Sequence, residues 1–129
     1  MVPFEYLAIG GIVAAVAVLV YVIANRDPVG SPVLAAVLGA FFAAYTGVTI
    51  FHEGIATVWT NHTTNLWGVQ VWWDLLMSVG IAVFFIVPRA RAQNMAIVPW
   101  LLLVAATASI GLFAMVARLF WLEKRAATA

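Results

Sequence analysis

The chain has 129 residues, of which 66% are hydrophobic and 9% charged, with six basic against five acidic side chains. A soluble domain carries roughly a quarter charged residues, and a chain this short has too much surface for its volume to hide such a composition from water, so its solvent is largely lipid. The near-balanced charges leave no basic stripe for nucleic acid, and the absence of cysteine removes disulfides, thiolate metal sites and cysteine nucleophiles.

A bilayer-crossing helix needs roughly 20 mostly apolar residues. Four stretches meet this, so the expected fold class is all-α integral membrane: a four-transmembrane-helix bundle forming a single membrane domain over residues 1–129. The first span covers about 4–24. A secretory signal would begin with positive charge and end at a small-residue cleavage site. Here Glu5 is the only charge before a run long enough to cross, so the helix is read as retained. Asn25, Arg26, Asp27 and Pro28, then Gly30, Ser31 and Pro32, form a breaker-rich turn. The second span starts at Pro32, a favoured first helical residue, and runs to about 55. A polar segment, 59–68, follows with tryptophan near both ends, and reads as an interfacial loop or short surface helix. The third span covers 69–87 and ends at Pro88, before Arg89 and Arg91. The fourth covers 96–122 and closes on Glu123, Lys124 and Arg125.

Indole prefers the headgroup level. With four spans, Trp59, Trp67, Trp72, Trp73 and Trp121 fall on one membrane face as an interfacial belt, and Trp100 on the other. Positive charge is tied, with Arg26, Arg89 and Arg91 on one face and Arg118, Lys124 and Arg125 toward the other. Glu5 before the first helix and Arg26 after it tip the expectation toward a Trp-rich face outside the cell. The Asn61-His62-Thr63 glycosylation pattern is set aside as a chance match.

Helices in lipid associate by close packing of small residues. Gly10 with Ala14 and Gly11 with Ala15 offer this on the first span, and Ala105 with Ser109 on the fourth. The second span has the longest row, Gly39, Ala43 and Gly47 beside Ala36, Ala40 and Ala44, and is expected to be the most buried helix.

Ionisable groups at membrane depth are costly and therefore functional candidates. His52 and Glu53 share a helix face with Tyr45 and Thr49, and Asp74 shares one with Ser78. If the second and third spans form a hairpin, the two stripes meet near the rim. In the structural reading, Asp74 complements the N-terminal dipole of its helix, while His52 and Glu53 serve the Thr-Asn loop. In the catalytic reading, Glu53 and Asp74, beside His52, exchange protons with a lipophilic, isoprenoid-like substrate. A metal or haem site using His52, Glu53, His62 and Asp74 matches no ligand spacing, so no cofactor or metal is expected. A proton or ion pathway would need several copies. Arg118 either snorkels to the interface or pairs with Glu53 or Asp74.

Trp59-Thr60-Asn61, Thr63-Thr64, Trp73-Asp74-Leu75, Arg89 with Arg91, and Glu123-Lys124-Arg125 occur in that order. In these features the stretch 59–125 resembles a family of small, three-span bacterial inner-membrane proteins known only as a domain of unknown function. Val87-Pro88 stands where the family has an acidic residue before its loop arginines, and the first helix is an addition. The resemblance implies a small bacterial inner-membrane protein and some emphasis on Asp74. It brings no activity or cofactor.

The function expected from these features is that of a non-enzymatic accessory or structural subunit. Its partners would be membrane lipid and either further copies of itself or a larger membrane complex. A small intramembrane acid–base enzyme is the alternative.

Overall fold

The computed structural model describes residues 3–129, all helical or in short connections. It contains α1 (Pro3–Ala24), α2 (Pro32–Glu53), α3 (Thr57–Thr63), α4 (Leu66–Ala92), α5 (Ile97–Thr107) and α6 (Ser109–Thr128). Three of these, α1, α2 and α4, are long and apolar enough to cross a membrane, whereas α5 is apolar but short. By internal contacts the chain divides into two units, one ending at Gly30 and one running from Ser31 to Ala129.

The first unit is α1 and the turn after it. The helix is apolar on every side, with Phe4, Ile12, Val16, Leu19 and Ile23 all exposed. The turn is ordered by its own side chains: Asn25 Oδ1 accepts from the Asp27 amide at 3.1 Å and Asp27 Oδ1 from the Val29 amide at 2.9 Å. These are short polar side chains bonding two residues onward, the usual Asx-turn chemistry.

The second unit opens where the sequence signals it. Ser31 Oγ accepts from the Leu34 amide at 3.1 Å, and Pro32 needs no donor partner in the first turn. At the other end Gly54 takes φ +78° and its amide closes on the Ile50 carbonyl at 2.9 Å, stopping α2 at Glu53. A residue with a Cβ would be strained there.

α4 begins at Leu66, earlier than expected, because the Asn65 side chain caps it by accepting from the Gly68 amide at 2.8 Å. It also runs through Pro88 to Ala92. The proline forfeits one backbone bond, to the Phe84 carbonyl. The helix continues and closes on its own last carbonyls: the Met95 amide bonds the Ala90 carbonyl at 3.0 Å and the Asn94 amide the Arg91 carbonyl at 3.0 Å. With Asn94 left-handed at φ 56°, this is a Schellman closure.

The largest departure from expectation lies in the stretch expected as one helix over 96–122, which is broken at Ala108 (φ 50°, ψ −115°). Those angles match the first central residue of a type II′ turn, a glycine position. The chain folds back there. Val104 on α5 and Met115 on α6, eleven residues apart, join one buried cluster with Leu119 and with Ala90 of α4. A straight helix would hold Val104 and Met115 about 16 Å apart. Gly111 permits the return, since a Cβ there would lie 2.7 Å from the Leu103 carbonyl oxygen and from Thr107 Oγ1. Thr107 Oγ1 bridges the break, donating to Leu103 O at 2.7 Å and accepting from the Gly111 amide at 2.9 Å.

The core therefore centres on α6, not α2. Gly111, Met115 and Leu119 are buried against α4 and α5, while α2 packs along another side of α6 and buries Ala35 and Gly39. Trp100, expected at a membrane face, packs against the buried cluster.

Candidate functional site

The polar segment between α2 and α4 spends most of its hydrogen-bonding capacity on its own backbone. Thr57 Oγ1 donates to the Glu53 carbonyl at 2.5 Å, Thr63 Oγ1 to Trp59 O at 2.8 Å and Thr64 Oγ1 to Thr60 O at 2.5 Å. His62 Nδ1 lies 2.6 Å from Val58 O. The first bond satisfies the last carbonyl of α2, and the others engage carbonyls of the short α3. Outward, α3 is fastened to α4 by rings: Trp59 meets Trp72 edge to face at 6.3 Å, and His62 lies 5.3 Å from the same indole. Gly68 allows the approach, because a side chain would collide with the Asn61 carbonyl.

The acidic candidates are not gathered. His52, Glu53 and Asp74 are all exposed, and no hydrogen bond or ion pair links them among the described residues. The packed partner of α2 is α6, and α4 packs on α3, α5 and α6, so the hairpin that would have brought the two polar stripes together is not the one that forms. Thr49 Oγ1 turns back to the Tyr45 carbonyl at 3.0 Å, and the His52 ring stands edge-on to Phe51 at 5.3 Å. Asp74 is the ninth residue of α4, more than two turns in, beyond the first turn where a carboxylate complements the helix dipole, and the N-cap is Asn65. No group of three potential metal ligands occurs among the described residues.

The charged chemistry that does assemble lies at the opposite end of α4, about 22 Å along the helix from Asp74. Arg89 grips Glu123 with two parallel bonds, Nε to Oε1 at 2.9 Å and Nη2 to Oε2 at 2.6 Å. Its guanidinium also lies 5.5 Å from the Phe120 ring. Glu123 is largely covered, with 13% of its side chain exposed, against 43% for Arg89. A planar fork on a carboxylate is the stronger form of ion pair. Here it pins the last turns of α6 to the last turn of α4.

One turn away, Trp121 carries two guanidinium groups, Arg118 and Arg125, each 4.6 Å from the ring centroid. Arg118 thus stacks on Trp121 and is not paired with Glu53 or Asp74. Trp121 sits at the Arg89 end, apart from Trp59, Trp67, Trp72 and Trp73 near the start of α4. The spacing of Arg118, Trp121 and Arg125 at i, i+3 and i+7 was legible as one helix face. The Arg89–Glu123 pair was not, because a straight fourth span puts its members on opposite sides of the membrane.

No protein-family model, curated protein or solved structure matches the chain.

Proposed function

We propose that the chain is a small bacterial inner-membrane protein that serves as a non-enzymatic accessory or structural subunit of a membrane assembly. One observation carries this reading. α2 uses one edge of its small-residue surface on α6, where a Cβ at Gly39 would stand 2.9 Å from Phe113, yet at Gly47 a Cβ would meet nothing within 4 Å. Ala36, Ala40 and Ala44 are exposed on the same helix. Small residues allow close helix approach in lipid, and this row has room for a further helix. The scattered, solvent-accessible acids support the same reading, because proton transfer needs its groups within hydrogen-bond reach of one substrate.

In the membrane, α1, α2 and α4 are the spans, and α5 with α6 forms a re-entrant hairpin entered and left from one side. The tie in positive charge then disappears. Arg89, Arg91, Lys124 and Arg125 gather at one end, with Arg118 at its margin, while the end with α3 has no lysine or arginine. Cations flanking spans stay in the cytoplasm, so the Arg89 end is cytoplasmic and the Trp59–Trp73 end faces the periplasm.

The test uses the cysteine-free background. Gly47→Cys in the full chain, labelled with a maleimide that carries a benzophenone and irradiated in native membranes, is expected to cross-link to a second polypeptide. Phe85→Cys, also exposed but flanked at four-residue spacing by Ile81 and Arg89, is not. Glu53→Gln and Asp74→Asn should leave that cross-link intact. No Gly47→Cys product, or its loss in both carboxyl variants, would contradict the proposal.

A further inference from the structure

We infer that the exposed face of α6 formed by Arg118, Trp121 and Arg125 is a binding site for the phosphate of an anionic phospholipid headgroup. The inference rests on α2 and α4 being spans, but not on which assembly the chain joins.

Three observations lead to it. First, the two guanidinium groups are held, not merely present: each stacks within 4.6 Å of the Trp121 centroid. Stacking on an indole face restrains the long arginine stems and leaves the in-plane N–H groups directed outward, where they suit phosphate oxygens. Arg118 lies a turn before Trp121 and Arg125 a turn after, so the cations are at most about 9 Å apart.

Second, the nearest carboxylate on this helix is already engaged. Glu123 gives both its oxygens to Arg89, and neither Arg118 nor Arg125 is paired with a carboxylate among the described residues. The cluster thus keeps uncompensated positive charge although an acid lies only two residues away in sequence.

Third, its depth is that of headgroups. Trp121 is 39% exposed, with an apolar helix on one side and Lys124 and Arg125 on the other. An amphipathic ring with flanking cations is the usual interfacial anchor. Basic side chains next to a span attract the anionic lipid of the cytoplasmic leaflet, which is the side assigned above to this end.

The test is native mass spectrometry of the full chain, delipidated in a neutral detergent and titrated with phosphatidylglycerol or phosphatidylcholine of matched acyl chains. Phosphatidylglycerol is expected to bind at least tenfold more tightly. Arg118→Gln with Arg125→Gln should weaken it about thirty-fold, the share expected of two cations at a membrane surface, whereas Arg91→Gln should change it less than threefold. Helicity by circular dichroism reports whether the double variant is folded. Should it fail to fold, Arg118→Lys with Arg125→Lys keeps the charge and loses the stacked fork, and is expected to bind several-fold more weakly. Equal affinity for the two lipids, or unchanged affinity in the folded arginine variants, overturns the inference. So does full displacement of the lipid by millimolar inorganic phosphate, which would make this a site for the free anion.

Discussion

Adding one methyl group at Gly39 and at Gly47, two positions on the same helix, should have opposite effects. In a helix interior, Gly→Ala gains about 0.5–1 kcal/mol because glycine loses more backbone freedom on folding. Gly47→Ala should show that gain, since its Cβ meets nothing within 4 Å. At Gly39 the new Cβ would lie 2.9 Å from the Phe113 Cβ, while carbon atoms prefer about 3.5–4.0 Å. The Phe113 Cβ is fixed to its backbone, so no rotamer change relieves the clash. α2 and α6 must part by about 0.5–1 Å, and a gap of that size forfeits a quarter to a half of each contact energy along the seam. Overpacking of this kind costs about 1–3 kcal/mol, which outweighs the helical gain. Reversible unfolding of the full chain in mixed micelles, followed by circular dichroism, should place Gly39→Ala below the parent by about 1–2 kcal/mol and Gly47→Ala at or above it. Equal stabilities for the two variants would refute the α2–α6 packing.

Two further outcomes follow from the hairpin. Arg89→Gln and Glu123→Gln should each destabilise by about 1 kcal/mol, modest because Arg89 is half-exposed. In a double-mutant cycle their effects should be non-additive by a similar amount, and strict additivity would deny the pair. Ala108→Gly should stabilise by about 1 kcal/mol: relief of positive-φ strain worth about 1–3 kcal/mol exceeds the entropy cost of a glycine. A net loss measured in the same micelle assay would mean that Ala108 is not in that conformation.

Local chemistry made much of the fold legible. Ser31 with Pro32 marks the start of α2, and Gly54 its end, because cap and breaker residues act within one turn. The row Gly39, Ala43 and Gly47 was readable from four-residue spacing, but only Gly39 meets another helix closely, since spacing says nothing of which helix lies opposite or how far along it the contact runs. Pro88 misled, because a proline in the last turns of a helix costs one backbone bond and need not end it. The break at Ala108 left almost no trace. Neither glycine nor proline stands there, and Thr107-Ala108-Ser109 is an ordinary run in an apolar helix. Beside the local bridge through Thr107 and Gly111, what holds the fold-back is distant, in Met115, Leu119 and the grip of Arg89 on Glu123. The same missed break hid the basic end. It also made Glu53 and Asp74 look more convergent than they are, because a four-span hairpin was assumed to pair α2 with α4.

Sidedness tests the central claim, that the chain returns at Ala108 and ends beside Arg89, most directly. Single cysteines at Gln93, Ala126 and Thr64, each introduced into the naturally cysteine-free chain, can be labelled with a membrane-impermeant maleimide in intact cells and in inverted vesicles. The account predicts that Gln93→Cys and Ala126→Cys label only in inverted vesicles and Thr64→Cys only in intact cells. Labelling of Gln93→Cys and Ala126→Cys from opposite sides would contradict it and restore a fourth straight span.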